Sequence, residues 1–158
     1  MPYYITSPVI MRILEEKLPI KSLTVMVQKE AAERICAEPG TRDVGAVSIA
    51  VRYYAEPEML FKVSAGSFVP PPKVDSEVIK LDILAEPPIK PKDEKQFFRL
   101  VKSAFAQRRK TLSNSLSSGL GVSKSDIAQA LESCGLKPTA RAEELSMRDF
   151  CKLADYLL

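Results

Sequence analysis

Apolar positions follow two rhythms along this chain, and the change falls near residue 90. Before it, short apolar runs alternate with amphipathic stretches. Ser7-Pro8 reads as a helix N-cap followed by its first helical position. Val9, Ile10, Ile13 and Leu14 then share one helical face, and the element stops before Pro19. LTVMV (23–27) is nearly continuous in apolar character, the mark of a strand buried on both faces. QKEAAERICAE has helical composition and ends before Pro39-Gly40. AVSIAVRYY (46–54) reads as a strand and LFKV as a short extended piece. SAGSFVPPPKV is a proline-rich loop, and SEVIKLDIL (76–84) alternates like a further strand.

AEPPIKPKDE (85–94) carries three prolines and little to bury, so it reads as a linker. The chain beyond it is helical throughout. The expected organisation is therefore α/β plus all-α, with an α/β part over 1–86, a linker over 87–94 and a helical part over 95–158. The α/β part is incomplete on its own terms. A strand buried on both faces needs neighbours, and three strands supply too few, so further strands are expected upstream of Met1.

Composition narrows the chemistry. The chain has 158 residues and 46% apolar content, enough for a real core. It contains no histidine and three scattered cysteines, Cys36, Cys134 and Cys151, with no CxxC pair. A zinc site is not expected, and nucleophile arrangements that rely on histidine are excluded. Reduced thiols and a cytoplasmic setting are the default. No apolar run approaches the roughly 20 residues of a membrane span.

Net charge is only +3, but its distribution is uneven. Residues 96–125 hold no acid, whereas 20 acids in 158 residues would place about four there. On a helical wheel Arg99, Lys102, Arg109 and Lys110 share one stripe, opposite Phe97, Val101, Phe105 and Leu112. Such a stripe serves either as a solvated face or as a contact for a phosphate backbone, and the run without acids favours the second. Arg108 falls among the apolar positions. It marks a break in the helix or needs a buried carboxylate, for which Glu143 and Glu144 are candidates, giving all three a structural role. Further on, Ser125 is placed to cap a helix ending at Gly135. Ser146 and Asp149 form a capping-box pair flanked by a Leu145–Phe150 staple. Gly119-Leu120-Gly121, the only GxG, follows no strand and reads as a loop.

Five segments in series carry a resemblance. PYYIT at 2–6, TVMVQKEAAERI at 24–35, FVPPPKVDSEVIKL at 68–81, FFRLVKSAFAQRRKTLSNSL at 97–116 and RAEELSMRDFCKLADYL at 141–157 together resemble the small-subunit ribosomal RNA adenine dimethyltransferases. The resemblance spans nearly the whole chain. It implies a Rossmann-like methyltransferase domain that binds S-adenosylmethionine, followed by a small helical domain that helps hold RNA. The implied reaction adds two methyl groups to the exocyclic amine of each of two adjacent adenosines near the 3′ end of small-subunit rRNA.

The family's motif at the end of its fourth strand is Asn-Leu/Ile-Pro-Tyr. Pro2 and Tyr3 match it, Met1 stands where leucine would, and the asparagine is absent. The resemblance thus implies a truncated, C-terminal half of the Rossmann-like sheet, lacking roughly a hundred residues that bear the cofactor loop. By that likeness the Pro2 carbonyl helps localise the amine's lone pair, Tyr3 stacks on the flipped adenine, and Phe68 covers the base's other face. Without the family likeness, Tyr3 and Tyr4 are core aromatics and Phe68 sits in a stiff surface turn. Ser64 and Ala65 depart from the family's usual prolines, which implies a more mobile loop at Phe68.

The implied RNA contacts are Arg99, Lys102, Arg109 and Lys110, with Lys73 and Lys80 extending them. The expected cofactor is S-adenosylmethionine for the complete enzyme, with none bound by this fragment. The partner is small-subunit rRNA or a 30S-type particle, and the open edge of LTVMV makes self-association a further expectation. The competing reading is a non-catalytic nucleic-acid-binding module of the same superfamily.

Overall fold

The computed structural model describes residues 6–158, which contain three strands and seven α-helices. They fall into two compact units, residues 6–37 with Ala50–Pro88, and Glu38–Ile49 with Ile89–Leu158. The first unit is mixed α/β. Strand β1 (Ser22–Gln28) and strand β2 (Ala55–Val63) both pair antiparallel with β3 (Ser76–Ile83), giving the order β1-β3-β2. β1 and β2 therefore run the same way, with β3 inserted between them in the opposite sense. Such a β1-to-β2 connection needs a crossover. It passes through helix α2 (Lys29–Cys36) and ends in α3 (Ala46–Tyr54).

Two expectations are corrected here. β1 is not buried on both faces among the described residues. Only Val27 is fully buried, and β3 is its one partner strand. An apolar run cannot report how many neighbours a strand has, only that neighbours would suit it. AVSIAVRYY is a helix, not a strand. Its start explains why. The Ser48 hydroxyl accepts from the Gly45 N–H at 3.0 Å, and the Ser48 N–H donates to the Gly45 carbonyl at 3.0 Å. That back-bond satisfies an N-terminal donor as the third helical residue of a capping box does. Near the other end, Arg52 donates to the carbonyls of Cys36 at 2.8 Å and Ala37 at 3.1 Å, satisfying the end of α2. These local bonds outweigh the β-branched composition.

β2 lies at the sheet edge, which accommodates Pro57 within the strand. A register shift between Met59 and Phe61 marks a bulge there. Helix α1 (Thr6–Glu15) buries Ile10 and Leu14, as its apolar spacing predicts.

The second unit packs α4 (Glu94–Phe105), α5 (Leu112–Leu120), α6 (Lys124–Ser133) and α7 (Met147–Leu157) around one apolar core. Phe97, Leu100, Leu112, Leu116, Ile127, Leu131, Phe150 and Leu153 are fully or almost fully buried in it. Asp93 caps α4 through the N–H groups of Lys95 and Gln96. The capping box predicted for α7 is present in both directions. Ser146 Oγ accepts from Asp149 N at 3.1 Å and Asp149 Oδ2 from Ser146 N at 3.0 Å. The cap of α6 is Ser123 rather than Ser125, two residues earlier than expected. The GxG is no loop. Gly119 lies inside α5, and Gly121 ends it with φ +68°, a left-handed cap that glycine adopts without strain.

Candidate nucleic-acid interface

The acid-free segment is not one helix. α4 ends at Phe105 and α5 begins at Leu112. The wheel that placed Arg99, Lys102, Arg109 and Lys110 in one stripe, opposite Leu112, is therefore corrected. Arg99 and Lys102 stand on α4, three residues apart and both exposed. Arg108, Arg109 and Lys110 occupy the turn between the helices, closed by Lys110 N donating to Gln107 O at 3.0 Å. Leu112 is buried on the second helix.

Arg108 shows what ends α4. Its Nη2 donates to the Val44 carbonyl at 2.8 Å. Among the described residues, no carboxylate lies within ion-pair distance of it. Glu143 borders the same small cavity as Arg108, while exposed Glu144 does not line it. The anchor is thus a backbone carbonyl 64 residues away, which no local sequence pattern advertises. Ser115 reinforces the turn by donating to Gln107 O at 3.4 Å. With Arg108 tied down, Arg109 and Lys110 project from a braced turn. Among the described residues, neither they nor Arg99 and Lys102 sit in an ion pair, although Arg99 Nη1 approaches Gln96 Oε1 at 3.4 Å. Arg99 and Lys102 on the helix, and Arg109 and Lys110 in the turn after it, are each exposed cations of the kind a phosphate backbone attracts.

In the first unit, Phe68 comes directly after a single 3-10 turn (Ala65–Ser67) and is partly buried. The turn is built by local acceptors. Ser64 Oγ accepts from Gly66 N at 3.3 Å, and Phe68 N donates to Ala65 O at 3.3 Å. Asp75 is the clamp, and sequence inspection overlooked it. Its Oδ1 accepts from Ala65 N at 2.9 Å, and its Oδ2 pairs with Lys62 Nζ at 3.0 Å. Lys73 is exposed beside it, whereas Lys80 is engaged with Asp82 at 3.2 Å. Pro2 and Tyr3, the other expected contacts to the target base, lie outside the described residues.

The Ala65 N–H and then the Lys62 ammonium hold the Asp75 carboxyl below its ordinary value of 3.8. A lowered folded-state value means that the charged carboxylate favours the folded turn. That contribution is fully present above the ordinary value and is lost as pH falls below it, through the depressed one. We expect the Ala65 amide to stay protected from hydrogen exchange at neutral pH and to lose protection only below about pH 4. In Asp75→Ala that amide should exchange fast at every pH. An unchanged Ala65 amide in the variant would show that the clamp does not hold the turn.

The thiols are inert by comparison. Burial pushes Cys36 up to about 11, only partly offset by Arg52. No cluster among the described residues is arranged to hold a metal ion.

The chain matches the ribosomal RNA adenine dimethylase family model over residues 1–158. It belongs to that family. A relative from Clostridium botulinum (strain Loch Maree / Type A3), named ribosomal RNA small subunit methyltransferase A, is 51% identical over 98% of this chain and 56% of its own length. One of the same name from Alkaliphilus oremlandii is 50% identical over 99% of this chain and 55% of its own. This family member therefore spans little more than half the length of the curated relatives it matches. Among solved structures, a dimethyladenosine transferase from Plasmodium falciparum superposes with a TM-score of 0.74 at 25% identity. That match covers 97% of this chain and 62% of the other. The 23S rRNA methyltransferase ErmE shares the fold, with a TM-score of 0.69 at 24% identity.

Proposed function

We propose that this family member is the C-terminal part of an S-adenosylmethionine-dependent enzyme that dimethylates two adjacent adenosines of small-subunit rRNA. What supports the reading is the family match along the whole chain, at about half identity to relatives named for small-subunit rRNA methylation. In this reading β1, β3 and β2 are the end of a longer Rossmann-like sheet, residues 87–94 are a linker, and the helical residues 95–158 hold RNA.

The one GxG closes a helix, and its first glycine is used for helix packing. The cofactor, when bound, supplies the methyl group; this chain's residues bind and orient the RNA. Exposed Arg99, Lys102, Arg109 and Lys110 contact phosphates, while Arg108 braces the turn between them. Phe68 lies against one face of the target adenine, and Pro2 and Tyr3 face its amine and ring. Positioning of this kind carries much of a transfer that needs no charged base.

The test is twofold. The full chain should bind a labelled small-subunit rRNA hairpin, with log affinity falling linearly in log salt. Arg109→Ala/Lys110→Ala should flatten that slope by roughly 0.7–0.9 for each phosphate contact removed. An unaltered slope would remove the basic turn from the interface. Calorimetry should find no S-adenosylmethionine binding to this chain alone, and micromolar binding would contradict the assignment of the cofactor site to a segment beyond it.

A further inference from the structure

One open cleft in the helical unit belongs to none of the features above. It encloses about 480 Å³ and is lined by Lys92, Ser133, Cys134, Lys152, Asp155 and Tyr156. It thus draws on the segment before α4, the C-terminal end of α6 and the last turns of α7. A second recess of about 240 Å³ shares Lys92 and Asp155 as walls.

The polar groups in the cleft are unequally occupied. Asp155 is its only carboxylate, and both of its oxygens are engaged. Oδ1 accepts from the Lys92 backbone N–H at 2.8 Å, and Oδ2 faces the Cys151 thiol at 3.9 Å. These contacts fix the wall by tying the segment before α4 to α7. The side chains of Lys92 and Lys152 remain unpaired, with no carboxylate within 4.0 Å of either ammonium among the described residues. Tyr156 shares the lining with these cations, half exposed and without a ring partner among the described residues. The Ser133 hydroxyl is also unengaged among the described residues.

A flat apolar ring beside two unpaired ammonium groups and a hydroxyl suits a ligand with a π-face, an anionic group and hydrogen-bonding edges. We propose that this cleft seats one unpaired nucleotide of a single-stranded RNA segment. The base stacks on Tyr156, the flanking phosphates lie against Lys92 and Lys152, and Ser133 meets a polar edge. This goes beyond the proposed target-base contact and the basic turn. It places a second RNA contact on α6 and α7, with residues of its own. It rests on the RNA-binding reading only for where the strand comes from.

The experiment uses the full chain and a fluorescein-labelled, unstructured oligoribonucleotide, read by anisotropy. Tyr156→Ala should weaken binding about tenfold, the size of one lost base stack. Tyr156→Phe should bind like the parent. Lys92→Gln and Lys152→Gln should each lower the salt slope by about 0.7. Nuclear magnetic resonance titrations with AMP, adenosine and inorganic phosphate separate the sources of binding. The proposal expects AMP to shift the resonances of Tyr156 and Ser133, adenosine to shift them less, and phosphate alone to shift only the lysines. The Arg109→Ala/Lys110→Ala variant serves as the comparison. If it loses the oligonucleotide while Tyr156→Ala and both lysine variants bind unchanged, the basic turn stands and the cleft is overturned. If Tyr156→Ala has lost its helical circular dichroism, the two lysine variants decide alone, because both positions are exposed. Parent-like slopes in both, or an AMP titration that leaves Tyr156 unmoved, sink the proposal.

Discussion

Phe150→Ala should destabilise the helical unit by about 3–5 kcal/mol, the usual loss when a buried phenylalanine is truncated. The side chain is fully buried, and its ring lies 5.7 Å from that of Phe105. It comes directly after the capping box, so it also fixes where α7 starts. Leu145, at the position before the cap, is buried as well, and the pair forms the hydrophobic staple expected around Ser146. Truncation removes the ring contact with α4's last residue and leaves a void that α7 cannot close without shifting its capped start. Against a total stability of about 5–15 kcal/mol, a loss of that size leaves the unit marginal. Chemical denaturation followed by circular dichroism measures it. A change below about 1 kcal/mol would mean that α7 repacks freely and is not pinned by its staple.

That staple and its capping box are the features most readable from the sequence, and the reason is locality. Ser146, Asp149, Leu145 and Phe150 lie within six positions, and their roles depend on one another alone. The same holds for the helical period of α1 and the alternation of β3. Legibility fails where a distant partner decides. AVSIAVRYY has strand-like composition, and beside its Gly45–Ser48 back-bond it is held as a helix by Arg52, which reaches the carbonyls of Ala37 and Cys36, 15 and 16 residues back. LTVMV has the composition of an interior strand and one strand partner among the described residues. The cationic stripe looked continuous because a helical wheel cannot show that Arg108 leaves the helix to reach Val44. The cations singled out for phosphate contact are exposed, but the turn that presents two of them, and the Asp75 clamp behind Phe68, depend on partners that spacing does not reveal.

Gly119→Ala is the second large effect, and its sign runs against helix propensity. In an exposed helix interior, alanine would gain about 1 kcal/mol over glycine. Here an added Cβ would stand 2.7 Å from Ser103 Cβ and 2.8 Å from its hydroxyl oxygen, far inside van der Waals contact. α4 and α5 approach at this point because one of them carries no side chain there. The variant must separate the helices or tilt one of them, at the cost of about 1–3 kcal/mol typical of overpacking. Ser103→Gly removes the obstructing Cβ and should by itself cost only the difference in helix propensity between serine and glycine, about 0.5 kcal/mol. Combined, the two changes transfer the gap from one helix to the other. The double variant should therefore be more stable than the sum of its parts by at least about 1 kcal/mol, measured as a coupling energy in a double-mutant cycle. Additivity within about 0.5 kcal/mol would show that the helices adjust without strain. The contact also bears on RNA, because the turn with Arg109 and Lys110 joins these two helices. Gly119→Ala should weaken hairpin binding without removing any cation, and Ser103→Gly in the same chain should restore both stability and affinity.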